Sequence, residues 1–163
     1  MIGAMGALAG LTGAAAGDAV AFEVVGTPVP QGSGRVLGGV MVTKTPALSA
    51  YRADIANGAA KAMAEGHLAM MARGPVAVLA SFRFPMPTGR LVSERQAGRI
   101  PKWTRPDVDK LARALLDGLV QGGVIHDDAQ VACLMVGKDE LAEGWQGTEV
   151  VVWPLPRLGR GAP

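Results

Sequence analysis

Residues 76–84 read VAVLASFRF, and no other run limits the fold as tightly. Val76, Val78, Ala80, Phe82 and Phe84 alternate with other residues, so a strand places all five on one face and Arg83 on the other. Pro85 and Pro87 end it. A strand with such a face must be covered, which asks for a sheet with a second layer packed on it. Residues 108–121 are suited to be that layer. Val108, Leu111, Ala112, Leu115, Leu116 and Leu119 form one apolar stripe at helical spacing. Pro106 and Asp107 mark the start of this helix, and Gly122-Gly123 its end.

Residues 47–64 predict a second long helix, with Leu48, Tyr51, Ile55, Ala59 and Met63 recurring every three or four positions. Thr45 is its expected N-cap and Pro46 its first helical residue, while Gly58 and Gly66 weaken the pattern towards the end. A short helix is expected over 67–73. Strands are expected over 19–25, 36–43, 129–136 and 148–153, with the last two joined as a hairpin through GKDELAEGWQG. Hydrophobic residues make up 49% of the chain but aromatic ones only 4%, so Ala, Val and Leu must fill the interior. Strands and helices mix without regular βαβ alternation. The expected class is therefore α+β: a mixed β-sheet packed with two main helices in a single domain over 19–153.

The first 17 residues, MIGAMGALAGLTGAAAG, lack a basic start and are broken by glycine, which argues against a secretory signal. Residues 1–18 and 154–163 are expected to be disordered tails. No run reaches the length of a membrane span. Cys133 is the only cysteine, which excludes an intrachain disulfide, suits a reducing cytoplasm, and places this thiol by expectation in the core.

Net charge is only +2, a weak pointer to nucleic acid; its distribution says more. Residues 87–106 carry Arg90, Arg95, Arg99, Lys102 and Arg105 against Glu94 alone, without clear periodicity. Such a run is either a solvated loop or a mobile arm that touches phosphates. Trp103 within it is either a packing anchor or a base-stacking group.

The chemistry-bearing stretch is Pro106-Asp107-Val108-Asp109-Lys110-Leu111-Ala112-Arg113, followed by Asp127-Asp128. Acids at a helix start are commonplace, since the dipole and free N–H groups favour them. What adds weight is the return of a second acidic pair after the glycine turn. A chain reversal there can bring Asp128 towards Asp107 and Asp109. Three carboxylates at one point repel, and a hard divalent cation relieves that repulsion. Structural ion pairs make such clusters too, so the residues alone leave both readings open.

The stretch PDVDKLARALLDGLVQGGVIHDDAQV, Pro106 to Val131, resembles the signature of RusA-family crossover junction endodeoxyribonucleases. That signature is a PD-x-DN-x-x-K helix, then LDAL, a glycine turn and DD-x-QV. Gly26-Thr27-Pro28-Val29-Pro30-Gln31-Gly32-Ser33-Gly34-Arg35 resembles the family's G-x-P-x-P-(Q/K)-G-R-x-R, and Lys138 falls where the family has a lysine closing the following strand. The resemblance implies a homodimer that nicks opposed strands of four-way DNA, with Mg²⁺ (or Mn²⁺ in its place) at Asp107, Asp109 and Asp128. It implies Arg113 as the cation at the scissile phosphate, and no organic cofactor. Candidate DNA contacts are Arg35, Lys44, Lys102, Arg105, Lys110, Arg113 and Lys138, with Asp127 expected to orient Asp128 or to cap its turn.

Two departures bear on activity. Lys110 stands where the family has asparagine, and Arg113 where it has lysine. A guanidinium keeps the charge but cannot serve in proton transfer. A branched-DNA-binding protein with little cleavage is therefore one alternative, and a protein-interaction module whose acids are only caps and ion pairs is another. His126 and His67 are set aside as ligands, Asp117 is expected to pair with Arg113 one helical turn before it, and the methionines at 63, 70 and 71 are expected to be packing groups.

Overall fold

The computed structural model describes residues 19–32, 35–37, 40–42, 45–66 and 74–156, the segments 35–37 and 40–42 as backbone. Residues 1–18, the helix expected over 67–73, Lys44 and residues 157–163 lie outside the described residues.

In chain order the elements are β1 (Val20–Val25), β2 (Arg35–Leu37), β3 (Val40–Val42), α1 (Pro46–Glu65), β4 (Val76–Pro85), α2 (Val92–Gln96), β5 (Arg99–Pro101), α3 (Val108–Gln121), a 3₁₀ turn (Asp128–Gln130), β6 (Val131–Leu141) and β7 (Gly147–Pro154). β2 and β3 form a small antiparallel pair. The main sheet has the order β1-β7-β4-β6-β5, in which only β4 and β6 run parallel. A parallel pair needs a crossover, and the segment from α2 to the 3₁₀ turn provides it. The fold is thus α+β, a five-stranded mixed sheet with two main helices.

β4 takes the centre because it is the most apolar strand. Val76, Ala77, Val78, Ala80, Phe82 and Phe84 are all buried. α3 covers them with Leu111, Ala114, Leu115 and Leu119, and α1 with Leu48, Tyr51, Ile55 and Ala59. α1 begins as expected, with the Thr45 hydroxyl accepting from the Leu48 N–H at 3.2 Å. It runs straight through Gly58, and the missing side chain there is what admits Phe22 of β1. The two helices come close at Gly118 and Gly122: a Cβ on Gly122 would lie 2.8 Å from the Ala56 carbonyl oxygen. Tyr51 reaches the sheet, its hydroxyl 2.7 Å from that of buried Thr148 on β7.

Three expectations are corrected. β6 and β7 do not form a hairpin; they flank β4 on opposite sides. Residues 142–146 carry the chain across the end of β4, where Trp145 stacks on the Arg83 guanidinium, 4.6 Å from ring centroid to charge. Cys133 is exposed, not core. β5 pairs only with Asp139, Glu140 and Leu141, so among the described residues the first half of β6 lacks a strand neighbour on that side, and Ala132, Cys133 and Leu134 are exposed. Asp117 does not pair with Arg113 on its own helix. It pairs with Arg52 of α1, tying the two helices together.

Candidate active site

The basic segment is not a loose loop. It folds into α2 and β5, and acids from β6 neutralise it. Glu140 is fully buried, with Arg90 Nε 2.7 Å from one carboxylate oxygen and Lys102 Nζ 3.0 Å from the other. Arg99 pairs with Asp139. The hydrogen bonds from Arg90 and Lys102 hold the Glu140 carboxyl below the ordinary glutamate range, outweighing the burial that pushes it up. Trp103 stays exposed, with the Arg90 guanidinium 5.9 Å from its ring centroid.

The segment after β5 delivers the acidic helix start. Lys138 on β6 donates from one ammonium to the carbonyl oxygens of Thr104 and Pro106, both at 2.6 Å. The Arg105–Pro106 peptide between them is cis. Asp107 follows as the N-cap of α3 by backbone geometry, its carbonyl accepting from the Leu111 N–H. Its carboxylate, however, makes no capping bond. It pairs instead with Lys110 Nζ at 2.9 Å. That hydrogen bond holds the Asp107 carboxyl below the ordinary carboxylate range, and the charges of Arg105 and Lys138 act in the same direction. Asp109, in the first turn, is exposed and makes no ion pair or side-chain hydrogen bond among the described residues, and the same is true of Arg113.

The second acidic pair sits on the 3₁₀ turn that packs against α3. Asp127 caps this turn, accepting from the Ala129 N–H at 2.8 Å. Gln130 closes the loop: its Oε1 accepts from the His126 N–H at 2.7 Å and its Nε2 donates to the Gly74 carbonyl at 3.0 Å. Asp128 is left exposed without a partner among the described residues. His126 is likewise exposed.

The three acids expected to hold a metal thus lie on two touching elements, but the structure does not draw them into one cluster. Among the described residues no three His, Cys, Asp or Glu stand where they can hold a metal ion together. The donor chemistry suits a hard cation, since all three are exposed carboxylates. The arrangement does not: the three do not stand together, and Asp107 is turned to Lys110. Of the expected DNA contacts, Arg105 and Arg113 are exposed. Lys102 and Lys138 have their ammonium groups engaged within the protein, and Lys110 is held by Asp107. Arg35 is described only as backbone in β2.

Two contributors escaped sequence reasoning. Gln130 fastens the acidic turn to the chain before β4. Gln31 fastens the N-terminal loop to the site, its backbone N–H donating to the Lys110 carbonyl at 3.0 Å. The Pro/Gly motif over 26–32 was the available signal for the second, but nothing in it names its partner.

No curated protein matches the chain. The family described as Endodeoxyribonuclease RusA matches residues 25–152, a span that takes in the N-terminal loop, the start of α3 and the 3₁₀ turn. The chain therefore belongs to the RusA endodeoxyribonuclease family, whose activity is the hydrolysis of DNA.

Proposed function

We propose that this protein is a Mg²⁺-dependent, structure-selective endonuclease that resolves four-way and related branched DNA in recombination and repair, working in the cytoplasm as a homodimer that makes paired nicks. The observation that carries the reading is the state of the acids. Asp107 occupies an N-cap position without spending its carboxylate on the cap, Asp109 exposes its own in the first turn of α3, and Asp128 exposes its own on the 3₁₀ turn that touches this helix. An acid kept only as an N-cap would be bonded to a helix N–H group, as Asp127 is on its own turn. Mn²⁺ is the expected substitute metal. A divalent ion held by Asp107, Asp109 and Asp128 would supply an activated water and charge stabilisation at the phosphodiester. Asp107 has to leave Lys110 to take part. Arg113, exposed one turn beyond Asp109, steadies negative charge on the scissile phosphate. Arg35, Lys44, Arg105 and Arg113 are the proposed backbone contacts, and Lys110 joins them when released.

The test is cleavage of a labelled four-way junction by Asp109→Asn in Mg²⁺ or Mn²⁺. The variant is expected to bind the junction and not to nick it; normal nicking would refute the assignment. The Lys110–Asp107 ion pair favours a second reading, a branched-DNA-binding protein with weak cleavage. Tight junction binding without nicking by the unaltered protein in either metal would establish it.

A further inference from the structure

Lys138 lies inside the protein's own hydrogen-bond network. Its ammonium has three donors, and two are spent at 2.6 Å on the Thr104 and Pro106 carbonyls. Its backbone carbonyl accepts from the Lys102 N–H at 2.9 Å. Lys102 in turn donates to the Thr104 hydroxyl at 2.9 Å and to Glu140, the next residue on the same side of β6. Residues 102, 104 and 106 are therefore all fastened to one strand. Asp107 follows directly; its own side chain makes no capping bond to the helix N–H groups and pairs only with the half-exposed ammonium of Lys110. A carbonyl pair pulled onto one ammonium sets where the chain enters α3, and hence where the first acidic side chain starts.

We propose that Lys138 is a positioning residue for the acidic centre: it sets Asp107 through the backbone of Thr104 and Pro106 and is not a contact to DNA. The inference rests on the reading of Asp107 as part of the catalytic centre. It separates two roles that a lysine at this place can have. A phosphate contact contributes to affinity and to its salt dependence. A positioning group contributes to the rate once DNA is bound, because a misplacement on the order of 1 Å costs up to ~100-fold.

The experiment compares Lys138→Met with the unaltered protein on a labelled four-way junction. Junction affinity is measured in EDTA across a salt series, and single-turnover cleavage in Mg²⁺ at saturating protein. The expected result is unchanged affinity and salt slope, with cleavage slower by about ten-fold or more and a higher Mg²⁺ concentration needed for half-maximal rate. A salt slope shallower by about one, with a normal rate at saturation, would make Lys138 a DNA contact and overturn the proposal. Normal affinity with a normal rate would overturn it as well. If Lys138→Met does not fold, Lys138→Gln replaces it under the same criteria. Asp107→Asn keeps the two readings apart. If it cuts normally, the acidic centre is misassigned. If it is inactive while Lys138→Met cuts normally, the positioning role alone falls.

Discussion

Replacing Glu140 by alanine tests what holds the basic segment against the sheet. The carboxylate is 0% exposed, and the side chains of its partners Arg90 and Lys102 are 16% and 11% exposed. Removing one member of a buried pair costs about 3–5 kcal/mol, because the other charge is left uncompensated. Here both cations keep a path to water, which places the expected loss near the lower end, about 3 kcal/mol. For a domain of this size that lowers the thermal midpoint by roughly 6–12 °C. Urea unfolding followed by circular dichroism measures it directly, with the slope unchanged if the unfolded state is unaffected. Glu140→Gln, which keeps the shape and one accepting oxygen, should lose less. The pH dependence gives a second reading of the same interaction. The Arg90 and Lys102 hydrogen bonds depress the folded pKa, so the stabilisation is fully present above the ordinary glutamate range, near about 4.3. It is lost as pH falls through the lower folded value. The gap between the unaltered protein and Glu140→Gln should therefore be constant from neutrality down to that range and narrow below it. A loss within about 0.5 kcal/mol for Glu140→Ala would refute the reasoning, since surface sites behave that way.

Gly122→Ala should destabilise by about 1–3 kcal/mol in the same assay, because the new Cβ would sit 2.8 Å from the Ala56 carbonyl oxygen and 2.9 Å from its Cα, backbone that cannot swing aside. A gain in stability would show that α1 and α3 separate freely. Tyr51→Phe should cost about 1 kcal/mol by leaving the buried Thr148 hydroxyl without its 2.7 Å partner. Burial also pushes the Tyr51 phenol up, so its contribution is full below the unfolded tyrosine range near about 10 and declines as pH rises above it. Unfolding midpoints from pH 8 upward should show that decline in the unaltered protein and a weaker one in Tyr51→Phe. Arg113→Ala should slow single-turnover junction cleavage by ~100-fold, as loss of one charge-stabilising donor does, and Arg113→Lys should restore most of it. Equal rates for all three would remove Arg113 from the site.

The parts of the fold legible in the sequence are those whose signal is local. α3 begins and ends where its apolar stripe, Asp107 and the glycine pair put it, and β4 shows its five alternating residues. Thr45 and Pro46 mark the start of α1 for the same reason. Pairing order is not local. β6 and β7 are neighbours in sequence, and a hairpin is the cheapest closure, yet both gain more by lying beside the apolar β4 than beside each other. The segment 87–106 has no periodicity to read because its order comes from outside it. Glu94 is its only acid, but Asp139 and Glu140 of β6 supply the counter-charges that turn a basic run into α2 and β5.

The acidic site divides in the same way. Residue type and motif point to Asp107, Asp109 and Asp128, and the structure exposes all three on touching elements. An exposed carboxylate turns to its nearest countercharge. For Asp107 that is Lys110, three residues along the same helix, where the family has an asparagine. An amide would leave the Asp107 carboxylate to repel its neighbours until a cation arrived; the ammonium already answers it. The same lysine holds the Asp107 carboxyl below the ordinary carboxylate range, and the three acids form no cluster among the described residues. Bringing them together means exchanging a half-exposed ion pair for ligation by a divalent ion. Exposed pairs of this kind contribute little to stability, so the exchange would oppose metal binding only slightly. On the proposed reading Lys110 would tune the demand for metal without abolishing it, and the charge it would free lies at the start of α3.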